Sequence, residues 1–355
     1  MGKTCRVTVN KESFHAKCGD LLLDAALANG VDLPHDCRSG VCGSCRIRLE
    51  DGKVFGGYDG DSGMIYACRA RVVSDMKVMV EPVPETVMVN AEVVELRRMA
   101  PDIFAVDLQL QKKLRYLSGQ YTKVQFRGFP ERCYSPTYPL QGAPKDRLFH
   151  YHLRQVPGGL ISTALGRDIR VGHRVKLTGP FGSAFFRPKH RGRVVVVASG
   201  TGFAPMWSVV TGAIKEWPQR ELVFIVTSRT LQSFYMHAAL CRLARFPRVK
   251  IIPIVSDLKG AVSPAIRTGR PTEYMPELTA NDVVYTAGAP AMTEAIAKIA
   301  KAAGARCYTD PFVSHGSHSS GPGLMSKLTG WLDSSRSSAM LQPMQAGAGG
   351  SRLSV

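Results

Sequence analysis

The chain has 355 residues, 45% of them hydrophobic and 21% charged, which is enough for two or three domains with sizeable cores. Its formal charge of +18 is unevenly placed: residues 1–80 carry 11 Lys and Arg against 10 Asp and Glu, and the remainder carries 35 against 18. The basic residues lie scattered between hydrophobic strands, with no basic helix. That argues against nucleic acid as a partner and for an anionic cofactor or an acidic protein surface.

No apolar run approaches the ~18 residues of a membrane span. The opening MGKTCRVTVN has no apolar core of a signal peptide. A cytoplasmic protein without a membrane span is the expectation. Nine cysteines, an odd number and partly clustered, argue against a disulfide framework and for metal or redox chemistry.

Residues 1–80 read as a small α+β unit: the alternating strand CRVTVN, a helix at LLLDAALANG, then CRSGVCGSC, and a closing strand near DMKVMVEP. The segment Cys37–Cys45 has the spacing C-x4-C-x2-C, and Cys68 follows in YACRA. This is the plant-type [2Fe–2S] arrangement. Four thiolates must converge on a small rhomb, so Gly40 and Gly43 are expected to take backbone angles closed to other residues. A structural zinc site is the alternative, although zinc favours paired C-x2-C knuckles and only one is present. Cys5, Cys18, Cys133, Cys241 and Cys307 are spread out and read as small packing side chains.

Pro82 and Pro84 mark a linker. Beyond it VNAEVVEL, FAVDLQL, YTKVQF, FHYHLR and HRVKLTG alternate as short strands of a β-barrel. Within this segment Arg132, Tyr134 and Ser135 (RCYS) offer a cationic fork for a diphosphate, an aromatic face and a hydroxyl. Gly158 and Gly159, followed by Ser162 and Thr163, read as a helix start with open N–H groups, an anion site. From residue 193 continuous apolar strands alternate with helices, the pattern of a parallel α/β sheet. In VVVVASGTGFAPM, Gly200, Thr201 and Gly202 form a strand–turn–helix element that lets backbone N–H groups approach a pyrophosphate.

In the order of these motifs the sequence resembles the ferredoxin–NADP reductase superfamily. It most resembles the reductase components of bacterial multicomponent aromatic-ring oxygenases with an N-terminal plant-type ferredoxin domain. The resemblance spans about residues 3–315. It implies a multi-domain protein: an α+β ferredoxin (β-grasp) domain over 1–84, an antiparallel β-barrel flavin domain over 85–190, an α/β nicotinamide domain over 191–315, and a low-complexity tail over 316–355. A short amphipathic helix at LMSKLTGWL is expected within that tail.

The resemblance implies flavin binding by Arg132, Tyr134 and Ser135, pyrophosphate contacts at Gly158, Gly159 and Ser162, and a flavin-lining strand carrying His152 and Arg154. With the ferredoxin domain first, FAD is the implied flavin. AGAPAM, with Gly288 and Pro290, resembles the second nucleotide signature, with Ala287 where relatives commonly have cysteine. Phe312 in YTDPF resembles the terminal aromatic that shields the flavin ring. Tyr134, Ser135 and Phe312 are thus the implied catalytic residues. Ser228 and Arg229 stand where NAD binders usually place an acid, which would tolerate a 2′-phosphate. Family resemblance favours NADH, with NADPH the alternative.

The implied function is a reductase that passes electrons from NAD(P)H through FAD and the cluster held by Cys37, Cys42, Cys45 and Cys68. The implied partner is a terminal oxygenase component or an intermediate ferredoxin. A reductase for a di-iron monooxygenase or a deoxysugar dehydratase, and a redox sensor that does not turn over, stay open.

Overall fold

The computed structural model describes residues 3–40, 43–60, 63–140, 143, 145–257 and 265–312. Cys42, the segment LMSKLTGWL and the stretch 316–355 lie outside the described residues.

The N-terminal module follows from alternation and one amphipathic helix. Strands β1 (Thr4–Val9) and β2 (Glu12–Lys17) form a hairpin whose inward residues, among them Val7, Val9, Phe14 and Ala16, are buried. Helix α1 (Leu22–Ala28) buries Leu22, Leu23, Ala25 and Ala26 against that face. Asp24 in its first turn suits the helix dipole. The helix stops at Asn29–Gly30, where the Val31 N–H returns to the Ala26 carbonyl. Strands β3 (Arg46–Asp51), β4 (Val54–Phe55), β5 (Met64–Tyr66), β6 (Arg71–Val72) and β7 (Met76–Met79) complete the module. The main sheet runs β2-β1-β7-β3-β5, with β1 and β7 parallel at its centre, a β-grasp arrangement.

The second module is one six-stranded antiparallel sheet, ordered β11-β10-β13-β8-β9-β12. Its strands are β8 (Val87–Ala100), β9 (Ile103–Leu110), β10 (Tyr121–Phe126), β11 (Arg132–Tyr134), β12 (Leu148–Arg154) and β13 (Arg174–Phe181). A short helix α2 (Leu160–Ala164) follows β12. The sheet curls into a barrel. Thr122 on β10 and Tyr151 on β12 stand far apart in strand order, yet their hydroxyls meet at 2.8 Å in the interior. Register shifts in β8 supply the bend.

The third module is a six-stranded parallel sheet ordered β17-β16-β15-β14-β18-β19. Its elements in chain order are β14 (Val194–Ser199), α3 (Phe203–Glu216), β15 (Leu222–Ser228), α4 (His237–Leu243), β16 (Val249–Val255), β17 (Arg267–Thr268), β18 (Val283–Gly288), α5 (Pro290–Ala302) and β19 (Arg306–Pro311). The unbroken VVVV of β14 reflects helices on both faces: Val194 and Val196 join the cluster under α3, while Val195 and Val197 join that under α5. Strand order reverses between β14 and β18, and a crevice opens at such a point beyond the strand ends.

The cysteine loop is fastened to the barrel beside this crevice. Asp36 accepts a hydrogen bond from the Tyr121 hydroxyl at 2.5 Å and pairs with Lys123, both on β10. The Ser44 hydroxyl accepts from the Gly182 N–H at 3.1 Å. Elsewhere Arg46 and Arg187 lie against the Tyr308 ring of β19, at 5.3 and 3.6 Å, while Arg46 pairs with Asp59 and Arg187 with Glu81.

Removing the carboxylate of Asp36 should loosen the N-terminal module. A charge-assisted contact is worth about 1.5–3 kcal/mol, so Asp36→Ala is expected to speed proteolytic cleavage in the linker by on the order of tenfold. Timed digestion followed by mass spectrometry checks this. A cleavage rate equal to that of the wild type would mean the clamp contributes nothing.

Candidate functional site

The cysteine loop has the backbone its glycines were expected to give. Gly40 and Gly43 have φ of +78° and +71°. At Gly43 a Cβ would stand 2.7 Å from the Ser183 hydroxyl, so a side chain there would push the loop off the barrel. Cys45 and Cys68 are buried and their sulfurs face each other at 3.2 Å without a disulfide. Two thiolates so placed could share one iron. Cys37 lies on the exposed flank of the loop, with the Ser39 N–H 3.4 Å from its sulfur. Among the described residues no three candidate ligands converge on a single ion. A binuclear cluster takes its ligands in pairs, and the C-x4-C spacing offers Cys37 and Cys42 as the candidates for a second iron.

The barrel brings RCYS to the edge of the crevice. β11 pairs with β10 so that Lys123, the partner of Asp36, lies opposite Cys133, and Thr122 opposite Tyr134. Arg132 is half-buried at the sheet edge and donates to the Glu131 carbonyl at 2.8 Å. Burial pushes the Tyr134 hydroxyl up to about 12, so its ring is a neutral aromatic face. Ser135 is buried and donates to Asp310 at the end of β19, at 3.4 Å.

Ala287 is in register with Asp310 and with Ala198, so Ser135, Asp310 and Ala287 gather at one spot. Phe312 is held there by its N–H bond to the Gly288 carbonyl, 2.8 Å, with 37% of its surface exposed. Desolvation raises the Asp310 carboxyl to about 7, against the lowering effect of the Ser135 hydroxyl.

His152 and Arg154 sit on β12 but face different things. The His152 ring is buried, 3.1 Å from the Tyr235 hydroxyl and stacked on Phe203. Desolvation lowers its pKa to about 3, so it acts through shape and hydrogen bonding rather than charge. Arg154 pairs with Asp102 at 2.8 Å and its guanidinium lies against Gly200 of the Gly-x-Gly turn. It therefore links the barrel to the nucleotide module.

In the turn before α2, Gly158 has φ of +74° and the Ser162 hydroxyl closes the turn on Val156, at 3.0 Å from its N–H and 3.1 Å from its carbonyl. The Ser162 hydroxyl is thus already engaged. The first N–H groups of α2 remain for a phosphate, as helix starts leave them.

The two nucleotide motifs meet back to back. A Cβ at Gly202 would stand 2.3 Å from the Ala287 carbonyl, and one at Gly288 would stand 2.1 Å from the Ser199 hydroxyl. These glycines let β14 and β18 touch at their ends. Gly200 and Thr201 are the more open members of the turn, and Pro290 starts α5 on the exposed side. At the end of β15 the Ser228 hydroxyl is used internally, on the Thr230 carbonyl at 2.8 Å, while Arg229 is exposed.

The chain matches three family models: a 2Fe-2S iron-sulfur cluster binding domain over residues 4–73, an oxidoreductase FAD-binding domain over 90–186 and an oxidoreductase NAD-binding domain over 196–298. It is 31% identical over 326 residues to the ferredoxin–NAD(P)+ reductase component of a naphthalene 1,2-dioxygenase system from Pseudomonas putida, covering 86% of this chain and 98% of that one. The chain belongs to this ferredoxin–NAD(P)+ reductase family. A second member, from the naphthalene 1,2-dioxygenase/salicylate 5-hydroxylase systems of a Ralstonia species, is 33% identical over 300 residues, covering 80% and 89%. Among solved structures, a cytochrome P450 reductase from Amycolatopsis superposes with a TM-score of 0.64 at 28% identity, covering 88% of this chain and 99% of that one.

As a member of this family the chain is an oxidoreductase with a [2Fe–2S] cluster, FAD and NAD(P)H as its redox groups. The residues fit them. Thiolates suit the cluster, and the Ser135–Asp310 corner with Tyr134 and Phe312 gives a flavin ring two aromatic residues and a hydrogen-bonding edge. Asp310 and Tyr235, which no sequence motif singles out, join this group through Ser135 and His152. Asp310 was open to detection as the one carboxylate of YTDPF in a strand end otherwise apolar or neutral. Tyr235 carried no signal, because only the folded chain places it on His152.

Two outcomes follow. Arg132→Ala should weaken FAD retention by about 1.5–3 kcal/mol, the worth of a charge-assisted bond. Flavin released on dilution and gel filtration measures it, and full retention would remove Arg132 from the diphosphate site. Asp310 holds its proton below about pH 7 and loses it above. The rate of flavin bleaching by NADH should therefore fall as pH rises through about 7, and Asp310→Asn should be slower and lack that fall. Stopped-flow traces across pH 5.5–8.5 decide, and an unchanged profile in the variant would clear Asp310 of the role.

Proposed function

We propose that this reductase takes hydride from NADH in the crevice between β14 and β18 and delivers single electrons, through its cysteine loop, to a terminal oxygenase component or an intermediate ferredoxin. The observation that carries the reading is spatial: the cysteine loop is clamped through Asp36 to β10, the strand that pairs with RCYS. When bound, the flavin supplies the conversion of a two-electron donor to a one-electron line, and the cluster conducts one electron at a time.

The chain's own residues then have separate tasks. Arg132 holds the flavin diphosphate, with the turn Gly158–Gly159–Ser162 as the second anion contact. Tyr134 and Phe312 cover the ring. Ser135 orients its reactive edge, and Asp310 keeps a proton beside Ser135. His152 packs Tyr235 and Phe203 to shape the seam. Gly200, Thr201, Arg154, Gly288 and Pro290 receive the dinucleotide, and Ser228–Arg229 meets its far ribose. The Ser228 hydroxyl is engaged internally, which leaves Arg229 to meet a 2′-phosphate; family resemblance favours NADH, with NADPH the alternative. Cys37, Cys42, Cys45 and Cys68 hold the cluster.

The modules divide near residues 84 and 190. No helix of the described residues is long and apolar enough to cross a membrane. A cytoplasmic setting, where thiols stay reduced and a nicotinamide pool is at hand, belongs to this proposal.

Cys68→Ser tests the series arrangement. It should remove the visible cluster absorption and end NADH-driven reduction of cytochrome c, while ferricyanide reduction from the flavin persists within about twofold. Loss of both activities together, with flavin still bound, would mean that the two centres do not act in series. Reconstitution with purified oxygenase components identifies the acceptor.

A further inference from the structure

The cysteine loop meets the barrel along Asp36, Gly43 and Ser44, and its opposite flank, Cys37–Ser39, is exposed. Around that flank the N-terminal module gathers cations. Arg38 projects from the loop itself. Arg69 directly follows Cys68 and lays its side chain over Gly40, where a Cβ would stand 2.3 Å from its Cδ. The Arg69 carbonyl in turn lies against Gly56, and Arg71 is opposite Phe55 in the β4–β6 pair. All three arginines are exposed.

Phe55 is 72% exposed, more than any other large apolar side chain among the described residues. The acidic groups near this surface are engaged: Asp20, beside β6, accepts from the Lys17 N–H at 3.0 Å. Asp24 lies 3.3 Å from Arg38, and Asp36 is turned away to Lys123. Arg69 has no carboxylate within ion-pair distance among the described residues, and Arg71 donates to the Gly19 carbonyl at 2.7 Å.

The module as a whole is nearly neutral, with 11 basic and 10 acidic residues over 1–80, so this basic face is a local arrangement. Exposed charges add little to stability. An exposed aromatic with one arginine opposite it on the paired strand and two more on the neighbouring loop has the composition of an interface centre.

We propose that Arg38, Arg69, Arg71 and Phe55 form the docking surface for an acidic one-electron redox protein, which is reduced across the Cys37–Gly40 flank. The proposal rests on the reading that electrons leave by the cysteine loop. In the step, one electron leaves the cluster and converts one ferric centre of the acceptor to ferrous, with no bond made and no proton moved. Opposite charge steers such encounters, and salt screens the steering.

The experiment compares NADH-driven reduction of two haem proteins by the full holoprotein: acidic cytochrome b5 and basic cytochrome c. For wild type, kcat/KM with cytochrome b5 should fall steeply between 20 and 500 mM NaCl. Arg69→Glu should lower it about tenfold at low salt, less than about twofold at high salt, and raise the rate with cytochrome c. Phe55→Ser should lower the cytochrome b5 rate about threefold at either salt, since contact rather than charge is lost. Flavin bleaching by NADH should stay at the wild-type rate in both variants.

Iron content and the visible spectrum show whether Arg69→Glu keeps its cluster; if it does not, Arg69→Gln and Phe55→Ser carry the test with the same expected direction. Equal slowing of both haem proteins, or a wild-type preference for cytochrome c, overturns the surface alone. Flavin bleaching with reduction of neither haem protein overturns the series reading and the surface with it.

Discussion

The contact on which the arrangement depends is the pair of bonds that Asp36 makes with Tyr121 and Lys123. Asp36 immediately precedes the first cysteine of the loop, and its partners lie on the strand that hydrogen-bonds RCYS. The spacing between the RCYS strand and the cysteine loop is thus held by one carboxylate on two side chains of a stiff sheet, with the Ser44–Gly182 bond beside it. One-electron transfer weakens steeply with distance, so a short and fixed separation matters more here than shape elsewhere. A carboxylate held by both a phenol and an ammonium resists sliding in either direction, because each bond restrains a different oxygen.

A second restraint acts at the crevice. Hydride transfer needs the donor carbon and the acceptor atom in near contact, and misplacement by about 1 Å can cost ~100-fold. Among the described residues, strand ends come together at the crevice. Gly202 against the Ala287 carbonyl and Gly288 against Ser199 remove the side chains that would hold β14 and β18 apart. The register of β18 with β19 then puts Asp310 beside Ala287, and the barrel adds Ser135. The fully buried Ala287 leaves the corner to be shaped by these neighbours.

Much of this was legible in the sequence, for physical reasons that differ by module. The parallel sheet declared itself because strands buried on both faces must be continuously apolar. The barrel strands declared themselves because one face is wet. The cysteine spacing read as a cluster because few loops can bring four thiolates together. What was not legible depends on packing between modules. Nothing in RVTVN or DCRSG says that Asp36 will meet β10. Nothing in FHYHLR says that His152 will lie on Tyr235 while Arg154 turns to Gly200. Asp310 was visible as a residue but not as a partner of Ser135, 175 positions away.

The Tyr308 ring, with Arg46 and Arg187 both against it, ties the N-terminal module to the strand that carries Asp310 and leads to Phe312. Arg46 is anchored by Asp59 of its own module, and Arg187 by Glu81 in the linker. The electron-accepting module is therefore also a brace for the hydride site. Exchange of this module for a foreign ferredoxin, by recombination or by design, would have to carry the Arg46–Asp59 pair and Glu81 along with the four cysteines. A graft chosen for its cluster alone would leave the terminal strand unsupported, and its fault would show first at the nicotinamide end of the molecule.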